Sequence, residues 1–298
     1  MTAVATSMAR PATRPSPRRT AAPGPLLWVL PPLLILLGVV GYPLVMVVRE
    51  SFLHRDGPLA AGTVTAAGYT GLLSSSTFVD ALFTTVKVAV TATIGCLVLG
   101  AAIAIVVSLV PFPGASAVAR IIDTVVAFPS FLITLSLAFL YGGAGLLTGP
   151  LGLPDLTGSW WALVVAEITF YTPFVVRPLL AAFSQLDPAL LEVAASLGAR
   201  PGRVLRRVVL PEALPALLAG GSLCLLLTLN EFGIVLFLGV KGVQTLPVLV
   251  YSYAVLGSSA QAGTAAAVAV INTLLSLALY LVYRAALARI GGRRAGVV

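Results

Sequence analysis

The chain has 298 residues, of which 59% are hydrophobic and only 9% charged, and its formal net charge is +8. Soluble domains carry about 25% charged residues, so this composition excludes a soluble enzyme and indicates a polytopic membrane protein. Two cysteines and one histidine leave no ligand set for a metalloprotease, and the two lysines, Lys87 and Lys241, lie in no phosphate-binding Gly-x-x-x-x-Gly-Lys-Ser/Thr loop.

Residues 1–25 are rich in Pro, Ala, Arg and Ser without apolar periodicity and read as a disordered cytoplasmic tail. Arg18-Arg19 precedes an apolar run too long for a signal core, so that run reads as a retained helix. Six runs reach the roughly 20 residues that cross a bilayer: 26–48, 81–110, 121–141, 160–183, 214–238 and 265–283. Without water to satisfy their backbones such runs must be helices, so the expected fold is all-α with about six transmembrane helices. Residues 26–80 then comprise the first helix and an outer linker with a solvated His54; 81–284 form the core; 285–298 form a basic cytoplasmic tail. Cys96 and Cys224 fall inside apolar runs and read as small core residues. Pro129, Pro173 and Pro178 remove helical hydrogen bonds within the third and fourth spans. The stretch 142–158 is an outer loop, and Leu246–Leu256, too short to span, reads as a re-entrant or interfacial helix on the outer side.

With the N-terminus inside, the inner segments hold thirteen arginines: Arg10, Arg14, Arg18, Arg19, Arg120, Arg200, Arg203, Arg206, Arg207, Arg284, Arg289, Arg293 and Arg294. The outer segments hold three basic residues, Arg49, Arg55 and Lys241. This positive-inside bias places both termini in the cytoplasm. It also accounts for the net charge through anionic lipid, without nucleic acid.

The inner loop between the fourth and fifth spans is built to fold as a helical hairpin. Asp187 is placed to cap a helix beginning at Pro188, and Gly198 to end it in a left-handed turn. Leu190, Ala194 and Leu197 fall on one face. A second short helix, roughly 202–210, is expected to stop at Pro211. The spacing Glu192-Val193-Ala194, three residues, Gly198, nine residues, Val208, one residue, Leu210-Pro211 resembles the cytoplasmic loop of ATP-binding-cassette (ABC) importer permeases. Val193 and Val208 depart from the family's alanine and isoleucine, and both remain apolar.

This resemblance implies a type-1 ABC importer permease fold with a coupling helix, in a bacterial plasma membrane. It implies that Asp187, Glu192, Ala194, Gly198, Leu210 and Pro211 serve ATPase coupling. It also implies no cofactor in this chain, because ATP and Mg belong to separate ATPase subunits. A second permease subunit, related but different, and an extracytoplasmic solute-binding protein would complete the assembly. An ion-driven secondary transporter is the alternative class, and it has no use for such a hairpin.

Asn230-Glu231-Phe232-Gly233 followed by Thr245-Leu246-Pro247 and Tyr251 resembles permeases for oxyanions such as sulfate and molybdate. The fuller wording around Glu231–Phe237, Lys241–Pro247, Phe170–Leu180 and Ile121–Thr124 is more similar to the permeases of 2-aminoethylphosphonate importers. Charges at membrane depth cost about 2.5–3.5 kcal/mol and need a partner or a job. Glu167, Arg177, Asn230, Glu231 and Thr245 are therefore candidates for the substrate path. Their alternative use is satisfying buried backbone ends or bonding across helices. Glu167 and Arg177, ten residues apart on one helix, cannot pair with each other.

Overall fold

The computed structural model describes residues 25–54, 63–142, 145–146, 148–152, 159–240, 242–258 and 261–295. The expected disordered tail at 1–24 and Lys241 lie outside the described residues. The chain divides into two compact units, 1–46 and 47–298. In the first, helix α1 runs through Pro25–Leu36, loosens into a π turn at Leu37–Gly41 and resumes at Tyr42. Its apolar part, Val29–Ser51, is 23 residues long.

The second unit opens with a two-residue hairpin, β1 (Leu53–His54) against β2 (Thr63–Val64), and the short helix α2 (Ala67–Leu73). Tyr69 donates its hydroxyl to Ser51 Oγ at 2.7 Å and packs on Phe52, which ties α2 to the end of the first helix. Helix α3 (Ser76–Leu109) has 34 residues, about 51 Å, and starts before the apolar run.

The third apolar run is broken in two. Helices α4 (Ala115–Val125) and α5 (Ser130–Tyr141) meet at 107°. Pro129 has no N–H, disfavours a helical residue before it, and is itself extended at φ −61°, ψ 137°. The last turn before it closes as Ala127 and Phe128 N–H onto Thr124 and Val125 carbonyls. The third apolar run, read as one span with its helical bonding interrupted at Pro129, is sharply bent at that residue. Helix α6 (Thr148–Leu151) is one turn.

Helix α7 (Trp160–Ser184) stays continuous through Pro173 and Pro178. The hairpin helix α8 (Pro188–Ser196) follows. Helix α9 then runs unbroken over Pro201–Leu229, so Pro211 does not stop a helix. Leu205–Val209 form a π turn in which the Leu210 N–H reaches back to Leu205 O. The wider turn relaxes the clash between the Pro211 ring and the carbonyl four residues earlier. The fifth span accordingly ends at Leu229, and α10 (Gly233–Leu238) is a separate short helix. Helix α11 (Leu246–Leu256) is too short to cross, as expected. Helix α12 (Ala262–Ala295) carries the sixth span, and its backbone continues through the basic C-terminal stretch.

Helices α3, α7 and α9 form the centre of the bundle. Their backbones approach closely because small residues face each other. A Cβ on Gly100 would sit 2.8 Å from Val175 Cβ, and one on Gly220 would sit 2.9 Å from Val175 Cα. Val175 is thus gripped from two helices. Cys96 and Cys224 lie buried in the same seam with free thiols, Cys224 donating to Tyr171 O at 3.4 Å. Among the described residues five helices are long and apolar enough to cross a membrane, or six when the bent pair counts as one.

Candidate functional site

The hairpin follows its sequence rules closely. Asp187 Oδ1 accepts from Ala189 N–H at 2.9 Å, and Pro188 fills the first helical position, where no N–H is needed. At the other end Gly198 adopts φ +69°. Its N–H bonds Ala195 O at 2.9 Å and Ala199 N–H bonds Ala194 O at 3.0 Å, the paired bonds of a Schellman end.

The helix is oriented by the residues it buries and those it leaves out. Leu191, with Leu186, Val204 and Leu205, packs against the core. Leu190, Val193 and Leu197 are 47%, 58% and 81% exposed. At i, i+3 and i+7 they make one apolar stripe facing away from the body. Glu192 lies exposed on the same short helix, while Leu210 and Pro211 lie at the π turn of α9 and do not face outward with it. Arg200, Arg203, Arg206 and Arg207 line an adjoining concavity.

The residues expected along a path fall into separate clusters. Glu231 is 6% exposed and committed at both oxygens. Oε1 accepts from Ile234 N–H at 2.7 Å, capping α10, and Oε2 accepts from the Tyr171 hydroxyl. Asn230 ties off α9: its Nδ2 donates to Leu226 O at 2.8 Å and to Ser276 Oγ at 3.2 Å. Asn272 on α12 donates to Asn230 Oδ1 at 3.1 Å. Both side chains therefore satisfy helix ends and bond across helices.

Glu167 is 1% exposed, and neither carboxylate oxygen has a partner among the described residues. It sits one turn before Tyr171 on α7, so two buried carboxylates flank one phenol. Thr245 heads α11, its hydroxyl buried and without a partner among the described residues, while Leu246 N–H donates to Thr85 Oγ1 at 2.8 Å. Arg177 reaches α4, its Nε donating to Asp123 Oδ1 at 2.6 Å. Lys87 stacks over Trp160, 3.9 Å from the ring centroid, which holds a cation at the aromatic belt.

Sequence reasoning missed Tyr171, Asp123, Thr85, Asn272 and Ser276. Tyr171 was findable, standing four residues after Glu167. Asp123 is 54 residues from Arg177 and carries no local signal. No group of three or more His, Cys, Asp or Glu side chains is placed to hold a metal among the described residues.

An exposed apolar hairpin and carboxylates buried among membrane-length helices fit a membrane transport component. The chain belongs to the binding-protein-dependent transport system inner membrane component family, whose model matches residues 96–292. It is thus a permease, the inner-membrane component of a transport system that depends on a binding protein, and not an enzyme.

Among its relatives is PhnU of Salmonella typhimurium, provisionally named a 2-aminoethylphosphonate transport system permease protein. The two are 47% identical over 277 residues, covering 90% of this chain and 94% of the relative. The spermidine/putrescine permease PotC of Haemophilus influenzae is 27% identical over 237 residues, covering 80% and 87%. In fold, the chain matches a chain of a bacterial ABC transporter involved in the import of the acidic polysaccharide alginate, with TM-score 0.71 and 19% identity over 89% and 95% of the chains. It also matches a chain of the MetNI methionine ABC transporter, with TM-score 0.54 and 20% identity over 71% and 93%.

Proposed function

We propose that this permease imports 2-aminoethylphosphonate or a related organophosphonate. The observation carrying the substrate is the 47% identity to PhnU along nine-tenths of the chain. The coupling role rests on the hairpin. Its apolar stripe Leu190–Val193–Leu197 offers a partner ATPase three side chains, each worth about 1.5–3 kcal/mol when fully buried. Asp187 and Gly198 hold the helix that presents them, Glu192 and Ala194 lie along it, and Leu210 and Pro211 anchor its continuation into α9.

The working unit is two permease subunits, the second a related chain, with two ATPase subunits that bind ATP and Mg and a solute-binding protein on the outer side. Both termini and the hairpin face the cytoplasm in this reading, which the excess of thirteen arginines over three basic residues supports. ATP-driven closure draws the hairpins together and opens the outer side to accept solute. Glu167, Arg177 and Thr245, not consumed by helix capping, are the stronger path candidates; Asn230 and Glu231 shape the path by fixing the ends of α9 and α10.

The test is growth on 2-aminoethylphosphonate as sole phosphorus source with and without the gene. Loss of growth on deletion, restored by complementation, is the expected result. Unimpaired growth together with loss of sulfate or molybdate uptake replaces this substrate with an inorganic oxyanion.

A further inference from the structure

Arg177 leaves α7 seven residues before its end at Ser184, roughly 10 Å along the helix. Its Nε donates to Asp123 Oδ1 at 2.6 Å, and the two side chains are 48% and 54% exposed. Asp123 stands three residues after Arg120 on the inner side, near the end of α4, and Arg177 stands in the inner part of α7; charges placed there face a bundle interior or water and not hydrocarbon. The pair therefore marks a wetted surface of the permease. Such a surface brings one cation and one anion within reach of a passing solute.

We propose that Asp123 and Arg177 form a subsite for a zwitterionic solute, the phosphonate taking the Arg177 guanidinium and the ammonium taking the Asp123 carboxylate. This rests on the phosphonate reading above and adds the residues that read both ends. When the site is empty the two side chains neutralise each other, so neither is left as an unpaired charge. A zwitterion replaces each partner with its like, and the exchange leaves every charge matched. An inorganic oxyanion, or ethylphosphonate without the amine, takes Arg177 and strands the Asp123 carboxylate. Guanidinium suits a phosphonate's tetrahedral oxygens through its forked donors. The pair thereby selects for the ammonium by penalising its absence.

The experiment uses the complete importer purified in nanodiscs without its binding protein. Equilibrium binding of labelled 2-aminoethylphosphonate and ethylphosphonate is measured for wild type, Asp123→Asn, Arg177→Gln and the conservative Asp123→Glu. Uptake of 2-aminoethylphosphonate by the wild-type importer with its binding protein is measured in parallel. The wild type is expected to prefer 2-aminoethylphosphonate. D123N is expected to lose at least about tenfold of that preference, chiefly by gaining ethylphosphonate. R177Q loses both ligands, and D123E retains the wild-type preference. An unchanged preference in D123N, equal loss of both ligands in D123N, or no binding by wild type overturns the inference. If wild-type uptake of 2-aminoethylphosphonate is intact in any of those cases, the subsite alone falls. If wild type takes up none, the substrate reading falls with it.

Discussion

Replacing Gly198 tests whether the hairpin works as a folded unit. The residue sits at φ +69°, and no heavy atom lies within 4 Å of a Cβ placed on it. Alanine therefore meets no clash with neighbours, and its cost is the left-handed backbone itself, about 1–2 kcal/mol. Helix α8 has nine residues, none fully buried and only Leu191 packed against the core, and helices this short are marginal without more packing. The penalty comes straight off the helix, a factor of about 5–30 in its folded population. Asparagine tolerates the left-handed region better than alanine. Uptake and co-purification of the ATPase should fall in the order Gly198, G198N, G198A. Hydrogen exchange at the Ala199 amide, bonded to Ala194 O, should accelerate by the same factor in G198A. A G198A permease with wild-type uptake and wild-type Ala199 protection, or G198N worse than G198A, would refute the reasoning.

Leu197→Ala removes the most exposed apolar side chain of the stripe; it should weaken ATPase association by about ten- to a hundredfold, at 1.5–3 kcal/mol for a buried leucine, while leaving the melting temperature of the isolated permease unchanged. Tyr171→Phe strips the buried Glu231 Oε2 of its donor, which costs about 1–3 kcal/mol and should lower that melting temperature by several degrees; an unchanged melt contradicts the bond. A cysteine at the exposed Ser196 should react with a membrane-impermeant maleimide in inverted vesicles and not in intact cells. Native Cys96 and Cys224 are buried and stay silent, and labelling in intact cells reverses the proposed orientation.

What could be read from the sequence was what short-range rules decide. Asp187, Pro188 and Gly198 carry their capping chemistry in their own side chains and backbone preferences, so α8 was placed to the residue. Apolar run length located the spans, though not their joints. Pro129 signalled a break, but 107° depends on how α4 and α5 pack, which hydropathy does not encode. Pro211 misled for the opposite reason: the π turn at Leu205–Val209 accommodates it, and α9 continues. The pairings of the polar residues, Arg177 with Asp123, Glu231 with Tyr171, Asn230 with Asn272, span 54, 60 and 42 residues. Burial forced Glu231 to have a partner, and only the fold determined which partner each of these residues took.

Helix α9 has a mechanical consequence. Its 29 residues run from the arginine-rich end of the hairpin at Pro201 to Leu229, a rod about 43 Å long. A rod of that length pivoting by about 5° moves its far tip by about 4 Å, more than the length of a hydrogen bond. At that tip stand Asn230, bonded to Ser276 and Asn272 on α12, and Glu231, bonded to Tyr171 on α7. A tilt imposed at Arg200 therefore arrives at the opposite end as the making or breaking of whole bonds. The link between the two ends is the backbone itself, and its π winding, Leu205–Val209, lies beside the Arg200 end, where any bending subtracts most from the travel at the far tip.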